Sequence, residues 1–350
     1  MKTALVTGSG GLIGSACAEL LCREGWRVVG VDNDLRAWFF GPGGSTAAVV
    51  RALCEHRGYE HCNLDLRDRA GVAALVRRTR PQFIIHAAAQ PSHDKAAEIP
   101  FADFDVNAGA TLNLLAAARE SAPEAPFCFT SSNKVYGDRP NQIALRELDT
   151  RWDYADGRDG IAEDCSVDQC LHSLFGASKL AADALCQEYG RYFGMPIGIF
   201  RGGCLTGPQH AGVALHGYLN YIVRCAVLGE PYRIHGHRGK QVRDQIHADD
   251  AAELFLQFFA SPRMGEVYNL GGGRANSISV LETIAALEQR GHTLRYQYSD
   301  QPRRGDHICY ISDLTKLRAH FPRWQIQRPL PAIFDKIIAR YVGAAACRAA

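Results

Sequence analysis

The chain has 350 residues, of which 47% are hydrophobic and 22% are charged. The length predicts two lobes or one large α/β domain with a cap, and the proportions exclude extensive disorder. Basic residues number 39 and acidic residues 37, so no strong positive field exists to attract nucleic acid or an anionic membrane. The apolar run in the opening MKTALVTG is too short for a signal peptide or a membrane span, and we therefore expect a cytoplasmic protein.

The 12 cysteines and 13 histidines show no spacing typical of metal ligands. The chain contains no CxxC pair and no HExxH motif, and His235 and His237 merely flank a glycine. Scattered cysteines of this kind are usually reduced and buried. We therefore predict no metal site.

Short apolar runs alternate with segments of helical periodicity along the first 200 residues. The predicted strands are Thr3–Thr7, Arg27–Asp32, a segment near Asp65, Phe83–Ala89, Phe127–Ser132 and Ile197–Arg201. The predicted helices are Leu12–Cys22, Asn107–Ser121 and a helix that runs on from Phe175. This alternation indicates an α/β fold with a doubly wound parallel sheet.

The segment GSGGLIG follows the first strand and places Gly8, Gly11 and Gly14 at the start of the first helix. Glycines at this spacing allow a tight turn, a close approach of backbone amides to a pyrophosphate, and close packing of helix on strand. Asp32 ends the second strand, where a carboxylate accepts hydrogen bonds from a ribose diol and repels a 2′-phosphate. The motif predicts NAD rather than NADP, with Arg36 nearby as the one opposing feature.

The later part of the chain is expected to complete the sheet and to build a smaller C-terminal lobe. We assign residues 1–201 to the dinucleotide-binding domain, with later returns near 240–271, and residues 202–350 mainly to a substrate-binding lobe. The polar stretch 137–172 has little periodicity. Because loops of this length in compact domains are usually functional, we expect it to act as a lid.

Several longer motifs extend over most of the sequence. They are the glycine loop, Ile85–Ala89, Asn107 at the start of a helix, SSNKVYGD, FGASK and VRDQIHADD. With these motifs the chain resembles the extended short-chain dehydrogenase/reductase family, and DNDLRAWFFGPGG, EYGRYFG, GKQVRD and GDHICYISDL make it most similar to nucleotide-sugar epimerases of the CDP-paratose 2-epimerase type. The resemblance implies a Rossmann fold, a tightly held NAD and a nucleoside diphosphate sugar as substrate.

The resemblance also implies which residues hold the cofactor. Asp65 is expected near the adenine, Ala87 to Ala89 along the dinucleotide, and Lys179 at the nicotinamide ribose. The full implied set is Gly8, Gly11, Gly14, Asp32, Asn33, Asp65, Ala87, Ala88, Ala89, Asn107 and Lys179.

The stretch LFGASK departs from the family pattern at the residue that exchanges protons. The family places a tyrosine four residues before the lysine, whereas this chain has Phe175, which we expect to occupy the place of the tyrosine ring. The resemblance assigns Ser132 to the hydroxyl of the reacting sugar. Side chains two apart on a strand face the same way, so Lys134 is the first candidate for proton transfer if the strand continues. The alternatives are His172, Cys204 and His210.

Two arginines indicate the substrate. Arg243 in VRDQIH and Arg303 in RRGD match arginines that clamp a diphosphate in relatives, and planar guanidinium groups suit phosphate oxygens. The family's dehydratases carry two acidic residues after the serine or threonine, where this chain has Asn133 and Lys134, so dehydration is disfavoured. We therefore expect a CDP- or UDP-sugar between the lobes, with the nucleotide, the sugar and the reacting carbon left open.

The favoured function is epimerisation by transient oxidation of a sugar hydroxyl, in which hydride leaves a carbon and returns to the other face of the ketone. General acid–base assistance is worth about 10² to 10⁴ in rate, so loss of the tyrosine without a replacement would leave the protein nearly inert. Two alternatives stay open. One is a different reaction on a nucleotide sugar, and the other is a non-catalytic protein that binds NAD or a nucleotide sugar.

A homodimer is the expected assembly, since proteins that this chain resembles usually pair through two helices of each subunit. The apolar-rich segments Ala108–Ala118 and Lys179–Tyr189 are the candidates for such a contact. The pairing would cover the outer faces of both helices.

Overall fold

A computed structural model describes residues 1–210, 217–303 and 305–349. The strands are β1 (Thr3–Thr7), β2 (Arg27–Val31), β3 (Tyr59–Cys62), β4 (Phe83–His86), β5 (Phe127–Ser132), β6 (Leu145–Glu147), β7 (Trp152–Tyr154), β8 (Ile197–Gly202), β9 (Cys204–Thr206), β10 (Tyr232–His235), β11 (Val242–His247), β12 (Glu266–Leu270), β13 (Ser277–Ser279), β14 (Tyr296–Ser299) and β15 (Cys309–Tyr310). The α-helices are α1 (Leu12–Arg23), α2 (Leu35–Phe40), α3 (Ala47–Cys54), α4 (Arg69–Thr79), α5 (His93–Glu98), α6 (Pro100–Phe104), α7 (Ala110–Ser121), α8 (Ser173–Phe193), α9 (Tyr218–Leu228), α10 (Ala248–Ala260), α11 (Val280–Glu288), α12 (Thr315–His320) and α13 (Leu330–Ala349). None of the helices in these ranges combines the length and the apolar character needed to cross a membrane.

Seven strands form a parallel sheet in the order β12-β8-β5-β4-β1-β2-β3. Helices α1 and α10 cover one face, and α4, α7 and α8 cover the other. Every residue of β4 is buried, which is typical of a strand that is covered on both faces. The predicted doubly wound parallel sheet is therefore confirmed.

Two predicted strands end at other positions. The third strand, expected near Asp65, lies earlier, because Tyr59–Cys62 are the residues that pair with Val28–Val31 of β2. The fourth ends at His86 rather than at Ala89, because the chain leaves the sheet there, although the Ala87 N–H still bonds to the Thr7 carbonyl. Both shifts place the residues that follow the strand in the loops at its carboxyl end.

The smaller lobe is built around β11, which pairs with β13, β15 and β9, while β10 pairs with β14. Ile222, Ile278 and Phe334 belong to its apolar core, which joins α9, α11 and α13. Strand β12 and helix α10 return to the central sheet. The division of the chain at residue 201 stays a prediction.

The polar stretch 137–172 packs against the smaller lobe instead of covering the cavity described below. Strands β6 and β7 form an antiparallel pair within it, and Tyr154 and Ile161 are fully buried in a cluster with Tyr310. The Ile161 N–H also donates to the Ile311 carbonyl. No residue of the stretch lines the cavity, so the expectation of a lid was wrong.

Candidate active site

A cavity of about 810 Å³ lies at the carboxyl ends of the central strands. Its wall on the sheet side includes Gly8, Asp32, Ala87, Ser132 and Gly202, and its wall on the side of the smaller lobe includes Tyr218, Tyr232, Arg243 and Asp306. Open α/β sheets bind their ligands at this edge. The cavity is therefore the candidate active site.

The glycine turn after β1 fits the pyrophosphate of a dinucleotide. Gly8 has a φ of +66°, and a Cβ there would lie 2.7 Å from the backbone nitrogen of Ala88. A Cβ at Gly14 would lie 2.0 Å from the Gly8 carbonyl oxygen, so α1 packs directly on the turn. Helix α1 begins at the cavity wall without an acidic residue in its first turn, and its N-terminus can therefore stabilise a phosphate.

Asp32 stands at the cavity wall with its carboxylate already oriented by the protein. It accepts hydrogen bonds from the Gly10 N–H and the Thr46 hydroxyl, both at 2.9 Å, and from the Asp34 N–H. Thr46 and Asn33 line the same part of the wall. Sequence analysis did not identify Thr46, because it lies in a loop without a recognised motif. The contact of Asp32 with a ribose diol stays a prediction.

Arg36 lies at the same end of the cavity, with its guanidinium carbon 4.8 Å from the centroid of the Phe40 ring. Burial lowers the pKa of Arg36 to about 10, with Asp32 acting in the opposite direction, so the guanidinium is charged at neutral pH. Asp32 and Arg36 thus have opposite effects on a 2′-phosphate. The expected discrimination against NADP depends on Asp32.

Asp65 and the three alanines 87–89 also line the cavity. The Arg67 guanidinium donates to both carboxylate oxygens of Asp65, at distances between 2.6 and 3.2 Å. These hydrogen bonds lower the pKa of Asp65 and hold the carboxylate in one position. Its contact with an adenine stays a prediction.

Asn107 is buried away from the cavity, so its assignment to the cofactor site was wrong. Its side-chain oxygen accepts from the Gln90 N–H, and its amide nitrogen donates to Asp103 and Ser178. The amide is therefore satisfied within the protein. Asn107 holds the loop that follows Ala87–Ala89 in place and has no free group for a ligand.

The strand that ends at Ser132 does not continue to Lys134, contrary to the condition set above. Residues Asn133–Tyr136 form a 3₁₀ turn capped by the Ser132 hydroxyl, which accepts from the Lys134 N–H at 3.2 Å. The alternation of a strand therefore does not relate the two side chains. Both nevertheless line the cavity, because the tight turn brings Lys134 to the same wall.

Lys134, Arg243 and Asp306 form a charged cluster at the cavity wall. The Lys134 ammonium donates to the Gly305 carbonyl at 2.8 Å and lies 3.3 Å from an oxygen of Asp306. The Arg243 guanidinium lies 3.3 Å from the same oxygen. Burial lowers the pKa of Lys134 to about 8, although Asp306 opposes this effect. Lys134 can therefore exchange a proton near neutrality.

The structure brings the two predicted phosphate ligands, Arg243 and Arg303, to the same cavity. Arg303 pairs with Asp94, and Arg243 pairs with Asp306. Burial alone would raise the pKa of Asp306, but the nearby cations outweigh it and hold this pKa well below its usual value. The cluster can therefore bind an anion through its two arginines, while Asp306 sets their position.

Phe175 and Lys179 lie one turn apart on α8, and both line the cavity. The Lys179 ammonium donates to the Thr130 carbonyl at 2.7 Å, and burial lowers its pKa to about 8. Phe175 is 6% exposed and contributes only its ring. The site can therefore hold a ribose through Lys179, but residue 175 cannot transfer a proton.

The three alternative proton carriers lie in different places. His172 lies outside the cavity, with Nε2 2.9 Å from the Val135 carbonyl oxygen, so the structure contradicts its candidacy. Cys204 lines the cavity, but burial raises its pKa to about 11 and keeps the thiol protonated. His210 also lines it, and burial together with Arg36 and Arg340 lowers its pKa to about 3. Arg36 and Arg340 are the charges that act on His210, whereas Asp306 and Arg243 act on Lys134. His210 therefore has different charged neighbours from Lys134.

Comparison with known proteins decides the family. The model of the NAD dependent epimerase/dehydratase family matches residues 4–271. The chain belongs to this family. CDP-paratose 2-epimerase of Salmonella typhi is 31% identical over 321 residues, which cover 89% of this chain and 91% of the relative.

Two further relatives show the range of this epimerase/dehydratase family. dTDP-glucose 4,6-dehydratase of Xanthomonas campestris pv. campestris, strain B100, is 29% identical over 89% of this chain and 82% of its own. UDP-glucose-4-epimerase of Stenotrophomonas maltophila, crystallised with NAD and formylated UDP-arabinopyranose, is 26% identical, with a TM-score of 0.78 and full coverage of both chains. The family is NAD-dependent, and the glycine turn and Asp32 of this member fit that cofactor.

The charged or titratable residues of this family member's cavity that sequence analysis missed include His93 and Asp306. His93 follows β4 by seven positions, and the carboxyl end of a parallel strand was a signal that pointed to it. Asp306 stands next to the RRG motif that was used to identify Arg303. Among the described residues, no group of three or more His, Cys, Asp and Glu side chains is placed to hold a metal ion.

Proposed function

We propose that the protein is an NAD-dependent epimerase of nucleoside diphosphate sugars, of the CDP-paratose 2-epimerase type. The observation that carries this proposal is the arrangement of one cavity. The glycine turn and Asp32 stand in its wall together with Lys179 and Ser132, and the Arg243 and Arg303 pair lines it as well. A dinucleotide and a diphosphate sugar can therefore meet in the same space.

The bound NAD supplies a hydride acceptor that later returns the hydride. Lys179, whose ammonium donates to the Thr130 carbonyl, would also donate hydrogen bonds to the nicotinamide ribose. The Ser132 hydroxyl, at the cavity wall, would bind the hydroxyl of the reacting sugar. Apolar side chains of the wall, among them Phe175 and Leu205, would help to exclude water from the ketone.

The carboxylates of the cavity favour epimerisation over dehydration. Among the described lining residues, the carboxylates are those of Asp32, Asp65 and Asp306, and the first two belong to the proposed cofactor site. Asp306 is paired with Lys134 and Arg243. Positions 133 and 134 carry an amide and an ammonium group, so the paired carboxyl groups of the dehydratases are absent from these two positions.

The function is tested by incubating the purified protein with CDP- and UDP-hexoses. We expect inversion of one sugar stereocentre, with transient absorbance of reduced nicotinamide and no net consumption of NAD. Separation of the sugar products by chromatography identifies the carbon. A dehydrated 4-keto product would contradict the proposal. Net reduction of one NAD for each sugar that is oxidised would contradict it as well.

Arg243→Ala and Arg303→Ala are each expected to weaken binding of the nucleotide sugar by tenfold or more. A charge-assisted hydrogen bond contributes about 1.5 to 3 kcal/mol, and a tenfold change corresponds to roughly 1.4 kcal/mol. Isothermal titration with UDP-glucose and CDP-glucose measures the loss. Arg158→Ala is the matched control, because Arg158 is 43% exposed and pairs with Asp156 outside the cavity. Unchanged affinity in both cavity variants would remove the proposed diphosphate site.

The alternative is a non-catalytic protein that binds the same ligands, and Phe175 is the observation that favours it. A phenyl ring at this position removes the family's proton carrier. The residues proposed to bind the cofactor and the diphosphate still line the cavity. Under this alternative, the protein would bind NAD and nucleotide sugars but would change neither. The turnover experiment above distinguishes the two, since binding without product supports the alternative.

We further propose that the protein forms a homodimer through α7 and α8. Leu112, Leu174 and Tyr192 on these helices are 41, 49 and 79% exposed, and a contact through α7 and α8 would cover these side chains. Light scattering at micromolar concentration is expected to give the mass of two chains. Leu112→Arg should shift this mass toward one chain, whereas Val342→Arg, at an exposed residue of α13, should not. A monomeric wild type would refute this assembly.

A reducing, cytoplasmic location is also proposed. The structure pairs none of the 11 cysteines it describes in a disulfide, and five of them are buried. Unpaired thiols are typical of proteins in reducing compartments.

A further inference from the structure

His93 lies against Phe175, the residue that stands where the family has its proton-exchanging tyrosine. The centroids of the His93 and Phe175 rings are 5.6 Å apart, with an angle of 38° between the ring planes. Both side chains line the cavity. His93 is the first residue of α5, and the Ser92 hydroxyl caps this helix by accepting from the Lys95 N–H. The cap fixes the start of α5, which carries the imidazole beside the ring that has no hydroxyl.

The imidazole has a nitrogen that is not used by the fold. Nδ1 of His93 is buried and has no hydrogen-bond partner among the described residues. Gly305 packs beside this nitrogen, since a Cβ added there would lie 3.4 Å from it. Buried polar atoms without partners are rare in folded proteins and suggest a missing ligand or proton.

Lys134, the residue chosen from the sequence, is engaged differently. Its ammonium already donates to the Gly305 carbonyl and pairs with Asp306. Proton transfer from this group would break its ion pair with Asp306. The contact with Phe175 belongs to His93.

We propose that His93 is the catalytic acid–base residue of this protein, in the place of the family's tyrosine. This proposal rests on the proposed epimerase function. In the first half-reaction the sugar O–H bond and the C–H bond on the same carbon break and a C=O bond forms. The imidazole nitrogen gains the proton, and the hydride with its electron pair passes to oxidised NAD. In the second half-reaction the hydride returns to the other face of the ketone, and His93 gives the proton back to the oxygen.

The charges around His93 favour a neutral imidazole before substrate binds. Burial, followed by the charge of Lys134, lowers the pKa of His93 to about 3, with Arg303 and Arg243 acting in the same direction and Asp306 opposing them. The imidazole is therefore uncharged at neutral pH, and a pKa this low makes it a weak base in the free protein. A diphosphate on the two arginines would neutralise charges that now depress this pKa. Substrate binding is therefore expected to raise the pKa of His93, although the effect of burial, which is the largest cause, remains.

The first test compares variants by the rate at which bound NAD is reduced on mixing with CDP- and UDP-hexoses. His93→Gln is expected to lose about 10² to 10⁴ in this rate, the usual contribution of general acid–base catalysis, while NAD and UDP-glucose binding stay within threefold. Adding Phe175→Tyr to His93→Gln is expected to restore at least tenfold, because it returns a hydroxyl to the neighbouring ring. His56→Gln is the matched control, because His56 is exposed and outside the cavity.

Two results of this test would overturn the proposal. One is a His93→Gln rate within threefold of the wild type. The other is a loss of rate in His93→Gln that Phe175→Tyr does not restore, since that outcome gives His93 a positioning role.

The pH dependence of the rate separates His93 from Lys134. If Lys134 were the base, the rate would rise as pH passes through about 8, where its ammonium loses a proton. Lys134→Met would then remove this rise. A rise due to Lys179, whose pKa is also about 8, would persist in this variant.

A second measurement needs no turnover and tests whether the sugar nucleotide acts on His93, whereas absence of turnover with every probe would contradict the proposed function itself. In histidine-labelled holoenzyme, the His93 imidazole is assigned by its absence from the NMR spectrum of His93→Gln. Its pKa is expected to rise by at least one unit when UDP-glucose or CDP-glucose saturates the protein. A pKa that does not change on saturation would show that the sugar nucleotide does not reach His93 and would overturn the proposal.

Discussion

Gly14→Ala is expected to weaken NAD binding about 100-fold, which corresponds to roughly 2.7 kcal/mol. The new Cβ would lie 2.0 Å from the Gly8 carbonyl oxygen and 2.6 Å from its carbon, distances that force backbone atoms apart. The Gly8 N–H is fixed by a 2.8 Å hydrogen bond to the Val31 carbonyl, so the turn cannot move without disturbing β2. Overpacking of this kind costs about 1 to 3 kcal/mol.

Isothermal titration with NAD measures this loss, and circular dichroism checks that the fold is kept. Gly109→Ala is the matched control, since a Cβ at Gly109 meets no atom within 4 Å and its φ of −61° suits any residue. Wild-type affinity in Gly14→Ala would show that the loop does not carry the pyrophosphate, and the assignment of the cofactor site would then have to change.

Asp183→Asn is expected to lower the free energy of unfolding by about 3 to 5 kcal/mol, because it leaves a buried guanidinium without its counter-ion. Asp183 of α8 is fully buried and accepts two hydrogen bonds from Arg201 of β8, both at 3.0 Å. It also accepts from the Ser131 hydroxyl of β5 at 2.6 Å. This carboxylate therefore fastens the helix that carries Phe175 and Lys179 to the central sheet.

Urea denaturation followed by fluorescence gives the free energies for this comparison. Asp156→Asn is the control, since it removes a carboxylate that pairs with Arg158 at the surface, and exposed ion pairs contribute little to stability. We expect the control to unfold at the wild-type midpoint. An Asp183→Asn midpoint equal to that of the control would show that the buried pair does not stabilise the fold.

An active protein with Phe175 would separate two roles that one tyrosine combines in the family. Ring packing beside the nicotinamide would belong to residue 175, and proton exchange to an imidazole from the loop after β4. Such a division needs a histidine whose position is fixed, because proton transfer requires contact with the reacting hydroxyl. The cap of α5 by Ser92 fixes the backbone that carries His93, and the Phe175 ring packs against its imidazole.

The cofactor half of the site was largely predictable from the sequence. Gly8, Gly14 and Asp32 lie within 25 residues of one another, and a strand, a turn and a helix in succession place them at the same edge by local geometry. The spacing of Phe175 and Lys179 puts both on one face of one helix, which is again a local relation. The parallel sheet followed from the alternation of apolar runs with helical periodicity.

Only the tertiary structure decided which distant residues meet at the proposed substrate. Asp306 reaches Lys134 across 172 positions of sequence, and His93 reaches Phe175 from a different helix. No periodicity links such positions, because their contact depends on how the smaller lobe packs on the sheet and on where each loop ends. For the same reason Asn107, placed at the cofactor by its motif, proved to be turned into the interior, where its hydrogen bonds are satisfied. The sequence by itself therefore determined the family fold and the dinucleotide loop, whereas long-range packing determined the surroundings of the group that must exchange the proton.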